Sequence, residues 1–111
     1  MTQVIVLTTP VIVLTTVGAA FDAAALAREL VEQRLAACVN IVPRIESIYR
    51  WQGAIEHDAE QLLLIKTVQD RVDALQAAVL ARHPYEVPEF VVIQMDEARG
   101  AWREWLIDSV R

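Results

Sequence analysis

Residues 37–66, ACVNIVPRIESIYRWQGAIEHDAEQLLLIK, decide the fold. Ala37 to Val42 forms a first β segment, and Pro43 kinks it. Beyond the kink, Ile45, Ser47, Tyr49 and Trp51 fall on one face by the two-residue period of a strand. Gln52-Gly53 offers a tight reversal, because glycine reaches positive φ without a Cβ clash. Residues 54–66 return as a second strand and end in Leu62-Leu63-Leu64-Ile65-Lys66. A four-residue apolar run of this kind implies cover on both faces. The pair makes a hairpin of about fourteen residues per arm, against the five or six of an ordinary strand. Its far end therefore overhangs any sheet that a small chain can build.

Helices flank the hairpin. Over residues 22–36, Asp22 suits the N-terminal cap, and Ala23, Leu26, Ala27, Leu30, Val31 and Leu35 make an apolar stripe at helical spacing. After the hairpin, Thr67 with Asp70 three residues on reads as a capped helix start. This second helix runs to about Arg82, with Val72, Leu75, Ala78 and Val79 inward, and Pro84 stops it. HPYEVPE, residues 83–89, is a loop stiffened by two prolines. Phe90 to Met95 is the last strand, and Gly100 precedes a helix with Trp102, Trp105 and Leu106 on one side.

The first strand is written twice: VIVLTT stands at 4–9 and again at 11–16. The offset of seven is odd, so along one continuous strand the two copies would present opposite faces. The second copy is the core strand, since Gly18 and a helix follow it directly and Pro10 is tolerated at a first strand position. The first copy is then an extension, frayed or paired to an edge or a neighbour. The expected organisation is an extension over residues 1–10 and a single domain over 11–111.

The order βαββαβ plus a terminal helix predicts an α+β, ferredoxin-like sandwich with an extended central hairpin and a C-terminal helix. Right-handed crossovers put both long helices on one face of a four-stranded antiparallel sheet and leave the other face bare. A bare face this apolar, with overhanging strand edges, predicts a homo-oligomer. Composition narrows the rest. The chain has 111 residues, 55% of them hydrophobic, which excludes a disordered protein. One cysteine excludes an intrachain disulfide, and a formal charge of −5 argues against nucleic acid as a partner. The apolar stretch over residues 4–16 is too short to span a bilayer as a helix, so no membrane partner and a cytoplasmic location are expected.

Few residues carry obvious chemistry. Cys38 reads as a thiolate nucleophile or soft ligand, or as a small buried apolar residue. Lys66 either snorkels to solvent or sits in a cleft as an anion-binding group or base. His83, Glu86 and Glu89 share the stiff loop, and imidazole with carboxylate suits a borderline divalent cation; the spacing equally suits a histidine placed against a helix C-terminus. Tyr49, Trp51 and Tyr85 either line a ligand cleft or pack between subunits. Glu56, Asp58 and Glu60 alternate along one strand face and read as a solvated acid row, with His57 opposite. Glycine-rich phosphate loops, Ser-His-Asp order and HExxH are all missing.

Four blocks, LAACVNIVP (35–43), SIYRWQG (47–53), EQLLLIKT (60–67) and HPYEVPE (83–89), together resemble the CutA family of divalent-cation tolerance proteins. The resemblance implies a PII-like homotrimer in which strand edges join through the long hairpin, in proteins that are mostly cytoplasmic and linked to tolerance of divalent metals, notably copper. It implies an inter-subunit ligand cleft drawing on Cys38, Trp51, Lys66, Tyr85 and Glu86. It also implies a copper-type site in some members, here His83 and Glu89 with a cysteine of the first strand. This chain has Thr15 and Thr16 where that cysteine would fall, which removes the ligand that best favours copper(I). The resulting expectation is a trimeric binding module for a divalent cation or a small anionic ligand. One alternative is an enzyme with Cys38 as nucleophile and Lys66 or His83 as base. Another is a structural trimeric scaffold.

Overall fold

A computed structural model describes residues 8–111. The elements are β1 (Pro10–Gly18), α1 (Ala23–Glu32), β2 (Cys38–Trp51), β3 (Ala54–Val68), a 3-10 turn (Gln69–Arg71), α2 (Val72–Arg82), β4 (Val91–Gln94) and α3 (Gly100–Ser109). The sheet order is β2-β3-β1-β4 with every pair antiparallel. That is the ferredoxin-like arrangement. The second VIVLTT copy forms β1, which begins at Pro10; the expectation for the first copy falls largely outside the described residues.

Alternation in β1 and β3 builds the core. Val11, Val13, Thr15 and Val17 are fully buried beside Leu63, Ile65 and Thr67. Leu26 and Leu30 of α1 and Leu75 and Val79 of α2 close over the strands. Full burial of each such aliphatic side chain stabilises the fold by about 1.5–3 kcal/mol.

The hairpin forms as its sequence predicts. Gln52 and Gly53 both take positive φ, 50° and 83°, which matches the twist of a two-residue hairpin turn. A bulge between Val42 and Ile45 absorbs Pro43 and Arg44. β1 stops at Gly18, opposite Glu60, so residues 46–59 project as a two-stranded arm with no third strand among the described residues. Ile48 and Ile55 on that arm are 70% and 63% exposed.

The structure corrects four details. α1 ends at Glu32, because Arg34 turns the chain at φ 58° and Leu35 packs on the core from outside the helix. Thr67 does not cap α2. The β1–β3 ladder continues to Pro10 and Val68, so Thr67 is the buried penultimate residue of β3, and its Oγ1 has no hydrogen-bond partner. The last strand is only Val91–Gln94, with Phe90 partly buried against the core instead. The open face is not wholly bare: Leu106, Ile107 and Val110 seal its end against Ala37, Val68 and Met95. Leu106 is fully buried, while Trp102 and Trp105 stay 41% and 45% exposed.

Candidate functional site

The predicted site residues fall at three places. The first is the foot of β2. Cys38 lies directly opposite Lys66 across the β2–β3 ladder, and Lys66 faces Ile12 on its other side. Register forces this pairing, so the thiol and the ammonium share the open face. Lys66 Nζ stands 5.8 Å from the centroid of the Trp102 ring, within cation–π reach. Cys38 Sγ is half-buried, 4.0 Å from Asn40 Oδ1.

The second place is the loop after α2, fastened to β1 and β3 at three points. His83 Nδ1 accepts the Tyr85 backbone N–H at 3.1 Å, which puts the imidazole proton on Nε2. His83 Nε2 therefore donates to the Thr16 carbonyl, at 2.7 Å. Thr15 Oγ1 donates to the Glu89 carbonyl, also at 2.7 Å. Tyr85 donates its hydroxyl to Glu60 Oε2 at 2.7 Å, and its ring meets His83 edge-on at 4.8 Å between centroids. Thr15 and Thr16 thus hold the loop from the positions where the resemblance would place a ligating cysteine. The side chains of Glu86 and Glu89 project from an exposed loop.

The third place is the hairpin tip, where Trp51 pairs with Ala54 and is 37% exposed. Six positions along β3 separate Glu60 from Lys66, about 20 Å at strand rise. Thirteen along β2 separate Cys38 from Trp51, about 43 Å. One chain therefore unites Cys38 with Lys66 and His83 with Tyr85, and leaves Trp51 apart from both.

Two contributors escape a reading of the sequence alone. Glu60 is not part of a solvated row: it is only 6% exposed, under Tyr85 and beside Gly18. Its signal is its place at the join between the acid row and the apolar run. Trp102, which helical spacing groups with Leu106, instead faces Lys66.

The phenols register this environment. Burial of the hydroxyl end, then the hydrogen bond to Glu60, hold Tyr85 well above the usual phenol range, although a third of the residue is exposed. Tyr49 donates to Asp58 on the projecting arm, and that bond pushes its pKa up to about 12.

Among the described residues, no group of three or more His, Cys, Asp or Glu side chains could hold a metal ion. Both nitrogens of His83 are engaged, so the imidazole reaches a cation only by releasing Thr16 or Tyr85. No helix among the described residues is long and apolar enough to cross a membrane.

A family model described as CutA1 divalent ion tolerance protein matches residues 11–109. The Divalent-cation tolerance protein CutA of Thermus thermophilus is 48% identical over 98 residues, covering 88% of this chain and 95% of the relative. Human Protein CutA is 46% identical over 81 residues, covering 73% of this chain and 45% of the relative. The chain thus spans nearly all of the bacterial protein and about half the length of the plant and mammalian ones. The solved structure of the divalent cation tolerance protein from Thermus thermophilus superposes with TM-score 0.87 at 45% identity, over 92% of this chain and 99% of that one. A protein of Archaeoglobus fulgidus, described as the periplasmic divalent cation tolerance protein CutA, does so with TM-score 0.87 at 28% identity, over 92% and 99%.

Proposed function

The chain belongs to the CutA1 divalent ion tolerance family, and from that premise we propose that it acts as a homotrimeric binding protein whose clefts lie between subunits. The observation that carries this reading is the dispersal of the candidate residues. Trp51 stands at the tip of an exposed arm, paired with Ala54 twelve positions along β3 from Lys66, about 40 Å at strand rise, and a neighbouring copy is the means of bringing such a tip to Lys66. Three-fold symmetry then repeats one cleft three times from a single sequence. In the cleft, Lys66 attracts an anion, while Trp51, Tyr85, Glu86 and Cys38 shape the wall.

His83 and Glu89 are the cation donors of the proposal. Because His83 must give up a hydrogen bond and the strand offers threonine in place of a thiolate, copper binding is weak. The protein is proposed to work without catalysis, in the cytoplasm, although the Archaeoglobus relative is described as periplasmic. Cell fractionation checks the location.

Sedimentation equilibrium tests the assembly. The expected species has three times the 12.5 kDa chain mass. A 12.5 kDa species that persists across the concentration range overturns the proposal. Calorimetric titration with copper(II), zinc and organic anions then identifies the ligand class; heat with none of them favours the structural scaffold. One observation favours a second reading, since Cys38 directly faces the cation Lys66. A catalytic thiolate there alkylates rapidly near neutral pH, and slow modification by iodoacetamide excludes it.

A further inference from the structure

We propose that the duplicated hexapeptide is a spare strand: residues 4–9 can take the place of residues 11–16 in β1, giving the chain two sheet registers. The slot is exacting. Val11, Val13 and Thr15 are fully buried there, between β3 on one side and β4 on the other. VIVLTT at 4–9 offers the same side chain at each of the six positions. Val4, Val6 and Thr8 replace Val11, Val13 and Thr15. Thr8 supplies the hydroxyl that Thr15 gives to the Glu89 carbonyl, and the Thr9 carbonyl replaces that of Thr16 as the acceptor for His83. The chain is long enough, because Gln3 then fills the place of Pro10 and two residues still precede it.

The flanks decide which copy is used first. In the exchanged register Pro10 falls where fully buried Val17 pairs with Gln61, and proline brings no N–H to the ladder. Val11 falls where Gly18 lies opposite Glu60, and a Cβ there meets the Tyr85 hydroxyl at 3.8 Å, an ordinary contact, so Pro10 is what sets the order. Gln61 Nε2, which donates to the carbonyls of Gly18 and Phe21 at 2.9 Å each, finds the Val11 carbonyl in place of the first. Residues 12–18 join the connection to α1, and loop lengthening of that size is only mildly unfavourable. The observed register is therefore the ground state and the exchanged one a reserve.

Four full-length proteins test this: the natural chain, Val6→Asp, Val13→Asp and the double variant. An aspartate at position 13 of the observed register buries an unpaired carboxylate in the middle of a central strand. Thermal melts followed by circular dichroism should show Val6→Asp melting as the natural chain does. Val13→Asp should keep a cooperative transition at a lower temperature, because the upstream copy takes over. The double variant should show none. If Val13→Asp is as unfolded as the double variant, the spare strand does not substitute. If the double variant melts cooperatively like Val13→Asp, position 13 tolerates the charge unaided, and the proposal is equally overturned.

Discussion

Tyr85 and Glu60 tie the proline loop to the sheet, and their chemistry can be read out singly. Tyr85→Phe removes one hydroxyl and strands a carboxylate that is 6% exposed. Leaving a buried acceptor unpaired costs about 1–3 kcal/mol. For a domain of this size each kcal/mol lowers Tm by about 4–8 °C. Thermal melts should show that loss, and Glu60→Gln, which keeps an acceptor for the phenol, should show less. Both tyrosines also titrate late. Tyr85 is raised chiefly by burial, and Tyr49 is raised to about 12 chiefly by its bond to Asp58. A phenol whose folded pKa lies above the unfolded value of about 10 stabilises the fold below pH 10, and that contribution is lost as pH rises through the folded value. Absorbance at 295 nm should therefore stay flat through about pH 10–11 in the native protein and rise there in urea. Tyrosinate appearing near pH 10 in both would show that the phenol–carboxylate bonds are absent. Period-two alternation puts Glu56, Asp58 and Glu60 on one face, but alternation carries no information about which of them lies under the loop. That depends on β1 ending at Gly18, a tertiary fact.

Elements are more legible than sites, and where they fail the reason is the same. The hairpin needs only local rules: alternation, a proline at the bulge and Gln52-Gly53 at the turn. Local rules also give a start for α2, and there they mislead, because Thr67 gains more as a rung of the β1–β3 ladder than as a cap. The choice between the two VIVLTT copies is decidable, since only the second leads directly into Gly18 and α1. A deletion follows from that choice. Removing residues 1–9 leaves every rung from Pro10 to Gly18 in place, and among the described residues it gives up contacts of Thr9 that include the bond from the Gln69 N–H to the Thr9 carbonyl. The truncated protein should be soluble and show one cooperative transition by differential scanning calorimetry. Insoluble product would mean that the core strand draws on the first copy in the ground state.

At the scale of the whole molecule, the single chain leaves its hydrophobic surface unfinished. Val91, Val92 and Ile93 along the edge strand β4 are 43%, 37% and 46% exposed, and the other edge of the sheet is the projecting β2 arm with Ile48 and Trp51. Among the described residues no strand lies outside β2 or outside Val91–Ile93 in the sheet order, and edges of this kind at both ends suit a head-to-tail arrangement, which closes into a ring when the rotation permits. Trp51 is the residue that separates this reading from a finished monomer. In an isolated chain the ring sits at a hairpin tip outside both core clusters, 37% exposed, so Trp51→Ala perturbs the arm and not the core. Against a neighbouring subunit the same ring is an anchor, and its truncation costs about 3–5 kcal/mol at each buried copy. In the proposed trimer all three copies of Trp51 are lost together, so the assembly should respond far more steeply than the fold. Sedimentation velocity on serial dilution should show the variant dissociating at concentrations where the natural protein stays assembled, while far-UV circular dichroism of the two remains alike. Identical profiles on dilution would place Trp51 outside the interface and take away the means by which the proposed clefts are completed.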